Sequence, residues 1–280
     1  MEINNLEKFK TKTGSGKLCL GMVVTLSDPA VSELAGDMGL DFTWIDMEHA
    51  PLSIETGLLH VMALRGTDTA PFLRVAGNDP FIIKPLLELA PAGVIIPMLN
   101  SAAEAEVAVK ACRYPPRGIR GCGPRRGTNF GRMPFGEYLD KSENDPMVIV
   151  QIENICALKE IKKIVAVEGV GSICVGPSDL SATMGKLRNS ADPAVQEVID
   201  EVCACAREAG VMIGSVSDTD PESIQRWLKR GANWLAVCGD CGGIASGSRT
   251  AINEVEATVR QRKGSAGDCV KTKGSKANGV

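Results

Sequence analysis

Short apolar runs recur along the chain, and most are followed by a segment in which apolar residues return every three to four positions. Eight runs stand out: LCLGMVV (18–24), FTWIDM (42–47), PFLRVA (71–76), VIIPML (94–99), MVIVQIE (147–153), SICVG (172–176), VMIGSV (211–216) and WLAVCG (234–239). They are nearly continuous in apolar character rather than alternating, the pattern of strands covered on both faces. Helical spacing fills 28–39, 53–66, 79–90, 102–113, 192–210 and 220–231. Four helices open with Asp-Pro, at Asp28, Asp79, Asp192 and Asp220. There the Asp accepts from free amides, and the Pro gives up a donor that had no partner anyway. Eight β-then-α units predict a (β/α)8 (TIM) barrel; an open doubly wound sheet is the alternative. No G-x-G-x-x-G follows the first strand, which weighs against a dinucleotide-binding version, and Gly14-Ser15-Gly16-Lys17 precedes that strand and reads as a turn.

Two stretches break the rhythm. Residues 114–145 form a long excursion rich in Gly, Pro and Arg, and 263–280 (KGSAGDCVKTKGSKANGV) reads as a disordered tail. The expected organisation is therefore one domain over 1–262 followed by that tail. Composition narrows the class. The 280 residues are 44% hydrophobic with a net charge of −3, enough for a large core and without a field favouring nucleic acid or an anionic membrane. No basic stripe with interleaved aromatics is present, and no apolar run approaches the ~18 residues of a membrane span. The N-terminal segment is polar and lacks the apolar core of a secretory signal. A cytoplasmic enzyme is the expectation. Most of the ten cysteines lie in apolar segments and are expected to be reduced; Cys238 and Cys241 have ligand-like spacing but no second pair, and read as two incidental thiols.

A barrel of this type gathers its chemistry at the C-terminal ends of the strands. The polar residues there are Asp46, Glu48 and His49 after the second run, Arg74 in the third, Gln151, Glu153 and Asn154 after the fifth, and Ser178 and Asp179 after the sixth. Glu153 and Asp179 repel each other unless something neutralises them, and a hard divalent cation suits two carboxylates plus water. The plainer reading makes Asp179 a helix cap and Glu153 a solvated group. Arg74, inside an apolar run, either pairs internally or stabilises a developing oxyanion. An imidazole is the side chain best suited to proton transfer near neutral pH, which makes His49 a candidate base, whereas His60 lies in a helical pattern and reads as packing.

These residues sit in motifs that resemble the HpcH/HpaI aldolase family, the metal-dependent class II pyruvate aldolases acting on 4-hydroxy-2-oxo acids. The motifs are WIDMEH (44–49), FLRVAGND (72–79), VIIPMLNSAAEAE (94–106), RYPPRGIRG (113–121), VQIEN (150–154) and GPSDLSATMG (176–185), and the resemblance covers about residues 15–262. It implies His49 as proton acceptor through a bound water, Arg74 as transition-state stabiliser, Glu153 and Asp179 as ligands of a divalent metal (Mg, Mn or Co), and Gln151, Ser178 and Asp179 as holders of pyruvate. It further implies an acidic residue raising the basicity of the histidine, at the position of Glu88, where Glu replaces the usual Asp. Asp46 and Glu48 then support His49. The implied reaction is reversible retro-aldol cleavage to pyruvate and an aldehyde through a metal-stabilised enolate. Arg125 and Arg126 in the excursion suggest an acidic aldehyde, as in succinic or tartronic semialdehyde. Alternatives on the same scaffold are a citramalyl- or malyl-CoA lyase-like activity, oxaloacetate decarboxylation, or a non-catalytic metabolite-binding homologue. The family also implies a homo-oligomer, often a hexamer, with an exchanged helix near 249–262.

Overall fold

The computed structural model describes residues 3–271, with side chains through residue 260. Each of the eight apolar runs becomes a strand: β1 (Cys19–Val24), β2 (Phe42–Asp46), β3 (Ala70–Arg74), β4 (Gly93–Ile96), β5 (Met147–Ile152), β6 (Val170–Val175), β7 (Met212–Val216) and β8 (Trp234–Gly239). All pair in parallel in chain order, and β1 closes on β8. The expected (β/α)8 barrel is therefore the observed one, and the open sheet is excluded.

The outer layer is α2 (Ala30–Asp37), α3 (Ile54–Ala63), α4 (Pro80–Leu87), α5 (Ala102–Cys112), a 3-10 turn (Ile155–Glu160) continuing into α7 (Ile161–Val165), α8 (Pro177–Thr183), α9 (Pro193–Glu208) and α10 (Pro221–Arg230). The Asp-Pro starts behave as the sequence suggests: Asp79, Asp192 and Asp220 accept from the amides of Phe81, Ala194 and Ser223. The excursion 114–145 is a chain of turns that ends in α6 (Phe135–Lys141). One element was not expected. The polar N-terminal segment forms α1 (Leu6–Gly14), whose Leu6 and Phe9 are buried. Two apolar residues in nine are too few for a helical period to be legible.

Those two residues close the floor of the barrel. Phe9 packs edge-on against Phe42 and Phe72, with ring centroids 6.0 and 5.0 Å away, and Trp234 meets Phe42 at 5.2 Å. The aromatic rings fit because glycine faces them: a Cβ on Gly214 would lie 1.8 Å from the Trp234 ring, and one on Gly21 would lie 2.5 Å from Phe42. A second apolar layer, including Ile45, Leu73, Val94, Val150, Ile199 and Leu235, fills the space between strands and helices. With the floor plugged by α1, the opposite end is left for chemistry.

The barrel unit ends at Asp240, and the segment from Cys241 onward is a separate unit. The backbone there continues the helix α11 (Asp240–Lys271), on which Ile252, Val255 and Val259 are exposed. Of the stretch expected as a tail, 263–271 is helical and 272–280 lies outside the described residues. Cys19, Cys112, Cys174 and Cys203 are buried thiols outside any disulfide, and burial pushes Cys19 and Cys203 up to about 12 and Cys112 up to about 11.

Candidate active site

Parallel pairing sets Asp46, the last residue of β2, beside Arg74, the last residue of β3. Arg74 donates from Nε to Asp46 Oδ1 at 2.9 Å and from Nη2 to Oδ2 at 2.5 Å. Its Nη1 lies 3.1 Å from Glu48 Oε2, an ion pair whose angles fall short of a hydrogen bond, and its guanidinium sits 4.9 Å from the centre of the Trp44 ring. Burial alone would raise the Asp46 carboxyl, but Arg74 and the amides of Glu48 and His49 outweigh it and hold Asp46 below the usual range. Those amides donate to Asp46 Oδ1 at 3.1 and 3.2 Å. Asp46 thus fixes both the guanidinium and the turn that carries His49. The imidazole is exposed, with Nε2 3.7 Å from Glu48 Oε2.

Across the mouth, Glu153 follows β5 and is only 2% exposed. Its Oε1 accepts from the Met98 amide at 2.8 Å and its Oε2 from Gln151 Nε2 at 2.5 Å. Met98 donates from a left-handed backbone (φ 56°) just past β4. Burial, with Glu48 and Asp179 adding repulsion, pushes the Glu153 carboxyl up to about 7, although the Met98 amide opposes the rise. Gly176, at the end of β6, leaves room for this carboxylate: a Cβ there would lie 2.7 Å from Glu153 Oε2. Ser178 and Asp179 follow at the exposed start of α8.

The donor set fits a divalent cation. A carboxylate raised mainly by burial is raised further by two other carboxylates, and the buried Gln151 Oε1 has no partner within the protein. Positive charge placed here relieves that repulsion. Among the described residues no three His, Cys, Asp or Glu side chains converge as a complete metal cage. Glu153 and Asp179 would then be the protein's share, with water or substrate oxygens completing the shell, as Mg²⁺ and similar ions prefer.

Asp46, Glu48, His49, Arg74, Gln151, Glu153, Ser178 and Asp179 all follow or end strands on this one rim. Glu88 does not join them within the chain. It caps the C-terminus of α4, which leads into the start of β4, and so lies toward the opposite end of the barrel. There it shares a cavity of about 430 Å³ with Arg65, Arg125 and Phe130. Arg126, offered by sequence as a reader of an acidic aldehyde, is also at that end. It donates to the carbonyls of Leu89 and Val61, where it serves the ends of two helices. The Met98 amide was missed by sequence reasoning, and Gly176, although part of the motif at 176–185, was given no role. A backbone donor leaves no side-chain signal, and the closeness of Gly176 to Glu153 depends on two neighbouring strands.

Comparison with known proteins agrees with the barrel fold. The family described as HpcH/HpaI aldolase/citrate lyase matches residues 20–246. A 5-keto-4-deoxy-D-glucarate aldolase of Salmonella arizonae is 37% identical over 86% of this chain and 94% of its own length, and one of Klebsiella pneumoniae is 35% identical over the same shares. The crystal structure of an HpcH/HpaI aldolase from Desulfitobacterium hafniense superposes with a TM-score of 0.82 at 27% identity, over 88% of this chain and 96% of that one. With the barrel, the rim constellation and relatives spanning nearly its whole length, the chain belongs to the HpcH/HpaI aldolase/citrate lyase family and is a carbon–carbon lyase of the aldolase kind.

Proposed function

We propose that this aldolase cleaves a 4-hydroxy-2-oxo diacid of the keto-deoxy-glucarate type to pyruvate and an acidic aldehyde, and that it runs the reverse addition with the same groups. What carries the reading is the rim itself: a guanidinium held on two carboxylates at one side, and a buried, raised carboxylate with an orphan amide oxygen at the other. A divalent cation held by Glu153 and Asp179 would supply Lewis-acid stabilisation of the developing negative charge.

The protein groups divide the rest. Gln151, Ser178 and Asp179 hold the pyruvyl end. Arg74, immobilised by Asp46 and Glu48, offers its fixed charge to the enolate oxygen as the C3–C4 bond breaks, with no reorganisation at that moment. His49, exposed and next to Glu48, takes the proton of the 4-hydroxyl, and the aldehyde departs. Within one chain Glu48 stands where a carboxylate partner of His49 is needed, because Glu88 lies at the other end. The reading extends to a cytoplasmic homo-oligomer in which a second copy covers the exposed Ile252, Val255 and Val259 of α11. Among the described residues no helix is long and apolar enough to cross a membrane.

The test is pyruvate release from 4-hydroxy-2-oxo acids, with EDTA and with Mg²⁺, Mn²⁺ or Co²⁺ added back. Turnover that is lost with EDTA and restored by metal is expected. No metal-dependent turnover of any 4-hydroxy-2-oxo acid sinks the proposal.

A further inference from the structure

The loop between β1 and α2 begins at Thr25 and stands at the same rim. Register pairs Val24 with Ile45 and Val23 with Gly239, so Thr25 is level with Asp46 on one side and one residue beyond the level of Asp240 on the other. This loop is bound unusually tightly. Asp240, 6% exposed, accepts on Oδ2 from the amides of Thr25 (2.6 Å) and Leu26 (2.7 Å), and on Oδ1 from Thr25 Oγ1 (2.7 Å). From the other flank His60, fully buried on α3, has Nε2 3.0 Å from the Leu26 carbonyl and Nδ1 2.8 Å from Ser32 Oγ. A carbonyl only accepts, so Nε2 carries the proton and Nδ1 accepts from the Ser32 hydroxyl. Burial holds the His60 imidazolium form below its ordinary range. Leu26 is thus held at its amide and at its carbonyl by side chains from opposite directions. Loops at the rim of a barrel are ordinarily its most adaptable parts.

The proposed catalysis gives this stiffness a use. The groups that hold the pyruvyl end come from β5 and the start of α8, and Arg74 comes from β3, whereas His49 follows β2. The carbon bearing the 4-hydroxyl must face His49, so the aldehyde half lies beyond β2, away from Arg74 on β3, toward β1 and, past it, β8. We propose that Asp240 and His60 are positioning residues that hold Thr25–Leu26 as a fixed wall orienting the aldehyde half of the substrate. This rests on the functional reading above. The clamp then matters for the step that makes or breaks the carbon–carbon bond, and not for enolisation of pyruvate, which needs no aldehyde.

The two steps can be read separately on the full chain with Mg²⁺. Exchange of pyruvate methyl protons in D2O, followed by proton NMR, reports enolisation. Steady-state addition of pyruvate to succinic semialdehyde or glycolaldehyde reports the aldol step. Asp240→Asn keeps the shape but leaves one acceptor oxygen for several donors and turns an amide toward backbone N–H groups. It should keep methyl exchange within about twofold of wild type and raise the aldehyde KM about tenfold or more. Thr25→Val removes only the hydroxyl donor and should raise that KM less, while Thr25→Ser restores it. This pair decides the matter if Asp240→Asn does not fold. An unchanged aldehyde KM in folded Asp240→Asn and Thr25→Val, or a parallel fall of exchange and addition, overturns the wall. Absence of metal-dependent exchange in the wild-type protein defeats the functional reading first, and the wall with it.

Discussion

Arg74 commits its side-chain nitrogens to Asp46 and Glu48, so its charge is fixed in direction before substrate arrives. A lysine would keep the charge and lose the fork. Arg74→Lys should therefore lower kcat/KM by about a hundredfold or more while leaving the circular dichroism spectrum unchanged. Glu153 sets a pH dependence of the opposite sense to most carboxylates. Its carboxyl is raised from 4.5 to about 7, so the folded protein holds that proton more tightly than the unfolded chain. Metal-free protein should then lose stability as pH rises from about 4.5 to 7, by up to about 3 kcal/mol from this group. Thermal melts at pH 5.5 and pH 8 check the sign, and excess Mg²⁺ should recover the loss at pH 8. Asp46 works the other way: its lowered pKa gives stability that is present above the ordinary carboxylate range and lost only in strong acid. At this scale the site was largely legible, because ionisable residues at the ends of apolar runs are conspicuous. What stayed hidden was the Met98 amide, which has no side-chain signature, and the fact that Asp46 spends itself on Arg74 rather than on the imidazole.

The elements divide in the same way. Strands β1 to β8 were readable because most of their positions are buried on both faces, which leaves few polar positions to confuse the pattern. Helices opened by Asp-Pro were readable from their caps. Helix α1 was not, since its worth lies in contacts far along the chain: Phe9 meets Phe42 and Phe72. Phe9→Ala should cost about 3–5 kcal/mol of stability through the cavity it leaves. Its effect on catalysis per folded molecule should be small, because the floor is distant from the rim. Chemical denaturation paired with active-site-normalised kinetics tests both halves. The arginines of the excursion teach the converse lesson. Arg125 and Arg126 suggested an anion reader, yet Arg126 donates to the carbonyls of Leu89 and Val61, at the floor end. A buried guanidinium beside helix C-termini is satisfied there without any ligand.

For the whole molecule, one chain leaves apolar surface on α11 that a lone helix in water does not favour, with Val255 64% exposed. If a second copy covers it, light scattering should give a mass that is a multiple of 29.6 kDa. Val255→Glu with Val259→Glu should lower that mass, and an unchanged mass would exclude α11 from the assembly surface. The pattern along the chain was enough to imply the barrel, because eight apolar runs joined by helices leave few ways to close a core. It also determined the chemical inventory of the rim, because strand ends are where such barrels expose function. Which of those groups meet became visible only in the packed fold. Strand register, set by hydrogen bonds between residues distant in sequence, put Arg74 on Asp46, left Glu88 and Arg126 at the far end, and brought Asp240 to Thr25. Spacing along a chain carries the period of an element, but not the angle at which its neighbour around the barrel presents a side chain.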